Sequence, residues 1–167
     1  MPGYIIHLAI ANKYLEKNKV EDEDKFKEGV IAPDLTDDKS KTHYGEKSSK
    51  TDLKLYLSKN KIDNSYNRGY FLHLLTDFLF YNKYLEHYST DLYNDYDILN
   101  GYLKEKYNVE IPKKVENTVF YKEGQLKILN KESIVKFINE VGAIDLKEVI
   151  KEIQSEEYKD KWKVKEK

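Results

Sequence analysis

A chain of 167 residues with no low-complexity spacer has the length of one domain and can bury a substantial core. Charged residues make up 35% and hydrophobic residues 40%, yet the formal net charge is only -1. Mixed charges of this kind leave no broad basic field and argue against duplex nucleic acid as a partner. Cysteine is absent, which removes disulfides, thiolate nucleophiles and CxxC zinc sites, so any metal must be held by His, Asp or Glu.

Tyr4 to Lys17 sets Ile5, Leu8, Ala9, Ala11 and Leu15 near helical spacing, with Gly3 before and Asn18 as a stop. His7 lies on this first helix among apolar neighbours, where core packing and ligation are both open. The surrounding MPGYIIHLAIANKYLEKN has neither the basic region nor the small-residue cleavage site of a signal peptide. No segment approaches the ~20 uninterrupted apolar residues of a membrane span. The expectation is a soluble, cytoplasmic protein; its oligomeric state is not legible. The 15 tyrosines and the single arginine, Arg68, are attributed to codon composition.

Glu21 to Gly29 reads as a short helix anchored by Phe26 and closed by Gly29. In GVIAPDL, residues 29 to 35, Pro33 ends the helix and pushes Ala32 into an extended conformation. Asp34 follows at once, held by stiff backbone at the end of a buried run. That position suits a ligand, and equally a turn or N-cap aspartate. The polar, aperiodic TDDKSKTHYGEKSSK, residues 36 to 50, reads as a surface loop containing His43. Helical character resumes from Asp52 to Leu57, and KNKIDN separates that helix from the next.

Gly69 to His87, GYFLHLLTDFLFYNKYLEH, is apolar on nearly every helical face and is expected to be the central core helix. It nevertheless carries His73 and Asp77. Four residues apart, these project about 40° from each other at roughly 100° per residue, so both reach one point in space. A buried carboxylate left alone costs several kcal/mol, so the pair needs a partner. A metal ion would serve both, and hydrogen bonding within the core is the alternative.

His87 and Asp91 are again four apart, but they straddle a helix break before a new helix that starts at Ser89 or Thr90. Leu92, Tyr96, Leu99 and Leu103 form its apolar stripe, and Asp95 and Asp97 fall on first turns where the helix dipole favours carboxylates. Residues 108 to 130 read as irregular, with a hairpin turning at Glu123-Gly124 as the alternative. Lys131 to Val141 and Asp145 to Ile153 read as amphipathic helices jointed at Gly142. Trp162 could dock the charged tail. The sum is an all-α, single-domain multi-helix bundle over residues 1-167, with a metal-site core over about 1-100 and C-terminal helices over about 131-155.

The order His7, Asp34, His43, His73, Asp77, with GVIAPDL matching a Gly-x-x-x-Pro-Asp segment and HLLTD an HxxxD helix, resembles the zinc-dependent phospholipase C and P1-type nuclease superfamily. The likeness covers about residues 1 to 100 and is nearer to shorter bacterial relatives than to the secreted enzymes. It implies a helical fold in which Asp34, His43, His73 and Asp77 surround one metal and Asp77 bridges to a second ion near His7. His87 and Asp91 would stand for the superfamily's second His-x-x-x-Glu pair. The histidine that follows HxxxD in the secreted enzymes is absent here, with Tyr81 or Asn82 in that region, and so is their N-terminal tryptophan.

The implied cofactor is zinc, one or two ions, with manganese or iron possible. The implied substrate is a small-molecule or lipid phosphoester, and Asp34 is the implied catalytic base. The competing expectation is a non-catalytic helical module, with a structural metal or polar core, that binds a protein partner.

Overall fold

Short polar side chains set most of the helix starts. Asp22, Asp52, Asn64, Asn130 and Asp145 each accept a backbone N–H two or three residues further on and so satisfy donors that the first helical turn leaves open. In the computed structural model, which describes residues 3–165, these caps and the apolar periodicities produce an all-α fold, with no strand among the described residues. The helices are α1 (Tyr4–Leu15), α2 (Glu23–Ile31), α3 (Leu53–Lys59), α4 (Ser65–Leu79), α5 (Asp91–Lys106), α6 (Lys131–Gly142) and α7 (Leu146–Gln154). Among the described residues, no helix is long and apolar enough to cross a membrane. The described residues divide into two compact units, one of residues 19–85 with 144–165, the other of residues 3–18 with 86–143.

The first unit is built on the pairing of α2 with α4. Gly29 and Gly69 make that pairing close: a Cβ on Gly29 would overlap the carbonyl oxygen of Tyr66, and one on Gly69 that of Phe26. Gly29 therefore does not close α2, as its sequence position suggests. The helix runs on to Ile31 and tightens into a 3-10 turn, Ala32–Asp34. Ala32 is accordingly helical (φ -54°, ψ -42°) rather than extended, because Pro33 sits at the start of that turn, where its missing N–H is not needed.

α4 starts four residues before the expected Gly69, because Asn64 caps it. It gives way after Leu79 to a π-helical turn, Phe80–Tyr84, so the helix does not reach His87. Phe26, Val30, Leu53, Tyr56, Phe71, Leu72, Leu75 and Phe78 are buried in this unit. The tail docks as expected: the Trp162 ring lies against Phe78 at 5.5 Å and its Nε1 donates to Glu152. Asn82 holds the same tail, its Oδ1 accepting from the Lys165 N–H.

In the second unit α1 packs against α5 and α6, and Gly142 lets α6 approach Lys13 so closely that a Cβ would lie 2.6 Å from that side chain. Leu92, Tyr96, Leu99 and Leu103 are buried as expected. The segment after α5 is irregular apart from a 3-10 stretch, Lys113–Thr118, and forms no hairpin. Asp95 explains how it is ordered. This carboxylate is fully buried and accepts the backbone N–H groups of Lys127, Ile128 and Leu129 at 2.7–2.9 Å. The helix dipole alone does not account for its position.

Candidate metal centre

Asp34, His43, His73 and Asp77 converge in the first unit, with one ligand atom from each lying within 4.8 Å of all the others. Each arrives on a different constraint. The 3-10 turn after α2 sets Asp34, whereas one face of α4 carries His73 and Asp77. His43 comes from the 36–50 loop, which is not a solvated surface loop at this point, since His43 is fully buried. Thr42 Oγ1 anchors the loop by donating to the Pro33 carbonyl at 2.7 Å, and Tyr70 Oη donates to the Thr42 carbonyl at 2.6 Å. Tyr44, in the left-handed region at φ 57°, stacks edge-on against Tyr56 at 5.0 Å.

The hydrogen bonds around the two imidazoles fix their tautomers. His73 Nδ1 lies 2.6 Å from the Val30 carbonyl oxygen, which can only accept, so Nδ1 carries the proton. Thr42 spends its single hydroxyl hydrogen on Pro33, leaving Oγ1 to accept from His43 Nδ1 at 2.9 Å. Both rings therefore turn Nε2 inward. His73 Nε2 is 3.2 Å from Asp77 Oδ2 and 3.5 Å from Asp34 Oδ1; His43 Nε2 is 3.1 Å and 3.3 Å from the same two oxygens.

A neutral imidazole in this tautomer presents a lone pair to two carboxylates. The contact becomes favourable only if a proton or a cation stands between them. Burial lowers the affinity of both imidazoles for a proton, but the charges of Asp77 and Asp34 outweigh it for His73 and push its pKa up to about 10. Burial acts the same way on His43, where the adjacent Asp34 and Asp77 carboxylates again prevail and raise it. Asp34 is drawn up by burial and down by the His73 charge and the facing imidazoles, and ends well below the usual carboxylate range.

The donor set fits a divalent ion. Four ligands bonded at 2.0–2.1 Å around a tetrahedral ion stand about 3.3 Å apart, and four of the six separations here are 3.1–3.5 Å. Two anionic oxygens and two imidazole nitrogens neutralise one dication. Each histidine also donates its other ring N–H to a fixed oxygen, the outer support that ligating histidines require.

Lys39, which sequence reasoning missed, places Nζ 2.8 Å from Asp34 Oδ1. It lies four residues before His43, but in an aperiodic segment no spacing rule points to it. Thr42 was missed as well, although a hydroxyl beside a candidate ligand was the available signal. The other expected ligands lie in the second unit and are not part of this quartet. His7 is buried on α1, His87 is exposed in a bend outside any helix, and Asp91 opens α5 with Lys127 Nζ 3.8 Å from its Oδ1. No family model, curated protein or solved structure matches the chain. What fold and site define is an all-α protein with a buried two-histidine, two-aspartate cluster that could hold a metal ion.

Proposed function

We propose that Asp34, His43, His73 and Asp77 are the metal centre of a hydrolase acting on phosphoesters. The observation that carries this reading is the locking of both imidazoles through Nδ1, which aims two Nε2 lone pairs and two carboxylate oxygens at one buried point. Nitrogen and oxygen donors in this proportion suit zinc, and manganese or iron next. The order of the ligands along the chain, similar to that of the phospholipase C and P1-type nuclease superfamily, favours a phosphoester over other esters. When bound, such an ion lowers the pKa of water towards about 7 and stabilises charge on a phosphoryl oxygen.

The chain's own residues divide the remaining work. All four side chains hold the ion, those of His43, His73 and Asp77 fully buried, and Asp34 contacts the partly exposed Lys39 ammonium. Asp34 orients the attacking water and takes its proton.

The near-complete burial of the four side chains favours a second reading, in which they hold a structural ion or only an ion network in a module that binds a protein partner. Metal analysis of protein purified without chelator, combined with hydrolysis of bis-p-nitrophenyl phosphate, separates the two. Stoichiometric divalent metal with turnover lost in Asp34→Asn supports the hydrolase. Metal without turnover on any phosphoester supports a structural ion, and absence of metal leaves the ion network.

A further inference from the structure

Every member of the quartet is withdrawn from solvent, with side-chain exposure of 3% for Asp34 and 0% for His43, His73 and Asp77, whereas Lys39 is 26% exposed. Its ammonium touches Asp34 Oδ1, the oxygen that also faces both imidazoles. Lys39 belongs to the short 3-10 turn Lys39–Lys41, whose start is capped by Asp38 Oδ1 accepting the Ser40 N–H at 3.1 Å. The turn is tied down four residues on, where the His43 N–H donates to the Lys39 carbonyl at 2.9 Å. Lys39 and His43 are thus placed by one piece of backbone, one at the solvent edge of the cluster and the other inside it.

Charge gives this placement a consequence. A divalent ion, two neutral imidazoles and two carboxylates sum to zero, so the four ligands alone offer an anion no net attraction. Lys39 adds one positive charge, and adds it at the partly exposed edge of the otherwise buried cluster. A carboxylate oxygen with two lone pairs can serve an ion and an ammonium together, and the ammonium has three hydrogens, of which Asp34 uses one. Two remain for a ligand. An ammonium acts on a phosphoryl group as a point charge, without requiring the planar geometry of arginine.

We infer that Lys39 is the phosphate-contacting residue of this site, holding an anionic phosphoryl oxygen against the metal centre while its third hydrogen stays on Asp34. This rests on the metal-centre reading above and adds to it a residue outside the ligand set that selects anionic over neutral ligands.

The test compares wild type, Lys39→Ala and Lys39→Arg, each loaded with zinc, for zinc content by mass spectrometry and for inorganic phosphate binding by calorimetry. The expected result is unchanged zinc stoichiometry in all three, phosphate affinity at least tenfold weaker in Lys39→Ala, and most of that loss restored in Lys39→Arg. Where turnover is measurable, KM for a phosphoester rises in Lys39→Ala more than kcat falls. Equal phosphate affinity in wild type and Lys39→Ala, with zinc retained in both, overturns the assignment and leaves the metal centre standing. Zinc lost together with phosphate in Lys39→Ala also overturns it, making Lys39 a support of Asp34. A wild type that takes up no divalent ion removes both readings at once.

Discussion

Two sets of buried carboxylates in this protein are satisfied in opposite ways. Asp95, in the second unit, accepts three successive backbone N–H groups from Lys127, Ile128 and Leu129. Burial raises its pKa, but those donors, Leu129 foremost, hold it below the ordinary value. Its partners cannot titrate or leave, so the carboxylate is permanently consumed in holding a segment that has no secondary structure of its own. Asp34 and Asp77, in the first unit, face imidazole nitrogens instead. Their partners can exchange a proton for a metal ion without any rearrangement of backbone. A buried aspartate on amide donors reads as structure, and one on the Nε2 edge of tautomer-locked histidines reads as a site.

The sharpest way to break that contrast is to neutralise one carboxylate of each kind. Asp77→Asn keeps the shape but removes an anionic ligand, and metal affinity is expected to fall on the order of 100-fold or more, beyond the 10- to 100-fold typical of outer supports. Metal content after dialysis against a competing chelator reads this directly, and a variant that retains stoichiometric metal removes Asp77 from the ligand set. Asp95→Ala leaves buried N–H groups without an acceptor and is expected to cost about 2–4 kcal/mol in denaturant unfolding, with metal stoichiometry unchanged. A variant as stable as wild type would mean that the 127–129 segment finds its own acceptors.

The same contrast explains what was legible in the sequence. His73 and Asp77 were, because four-residue spacing on an all-apolar helix leaves few other ways to satisfy them. The helices were legible too, since caps and periodicity agree for α3, α6 and α7, and periodicity alone marks α5, whose Thr90 makes no side-chain cap. His43 could be brought in only through the resemblance, because a polar loop gives no periodicity from which burial can be read. Asp95 looked like an ordinary first-turn acid, since its partners lie more than thirty residues away in an aperiodic stretch. Gly29 looked like a helix stop because sequence shows that a glycine lacks Cβ but not which backbone presses against it.

Below both aspartates in expected effect stands Thr42, whose hydroxyl sets the direction of His43. Thr42→Val preserves the volume but removes both the bond to Pro33 and the acceptor for His43 Nδ1. Metal affinity is expected to drop roughly 10-fold, at the low end of the range for such supports, because His73 stays fixed by the Val30 carbonyl. Unchanged affinity in a competition titration would show that His43 needs no orienting partner.

A further effect is a pH dependence, and its sign follows from the shifts. In the metal-free protein His73 is raised to about 10 from an ordinary 6.5, so its contribution to stability is complete below about pH 6.5 and disappears as pH rises through 10. Asp34 is lowered, so its contribution is present above the ordinary value of 3.8 and is lost as pH falls through its folded value. The metal-free site is thus most stabilising between these limits, on the acid side of neutrality. An ion must displace the imidazole protons, so its affinity rises with pH over the same interval in which the protonated network weakens. Displacing one proton per ion strengthens binding about tenfold per pH unit, equivalent to roughly 3–5 °C in Tm for a chain of this size. Melting curves with and without zinc from pH 6 to 9 should therefore diverge steadily as pH increases, while Asp95→Ala lowers both curves together. A zinc increment that stays flat across that range would mean that no imidazole proton leaves when the ion binds, and would take His43 and His73 out of the ligand set.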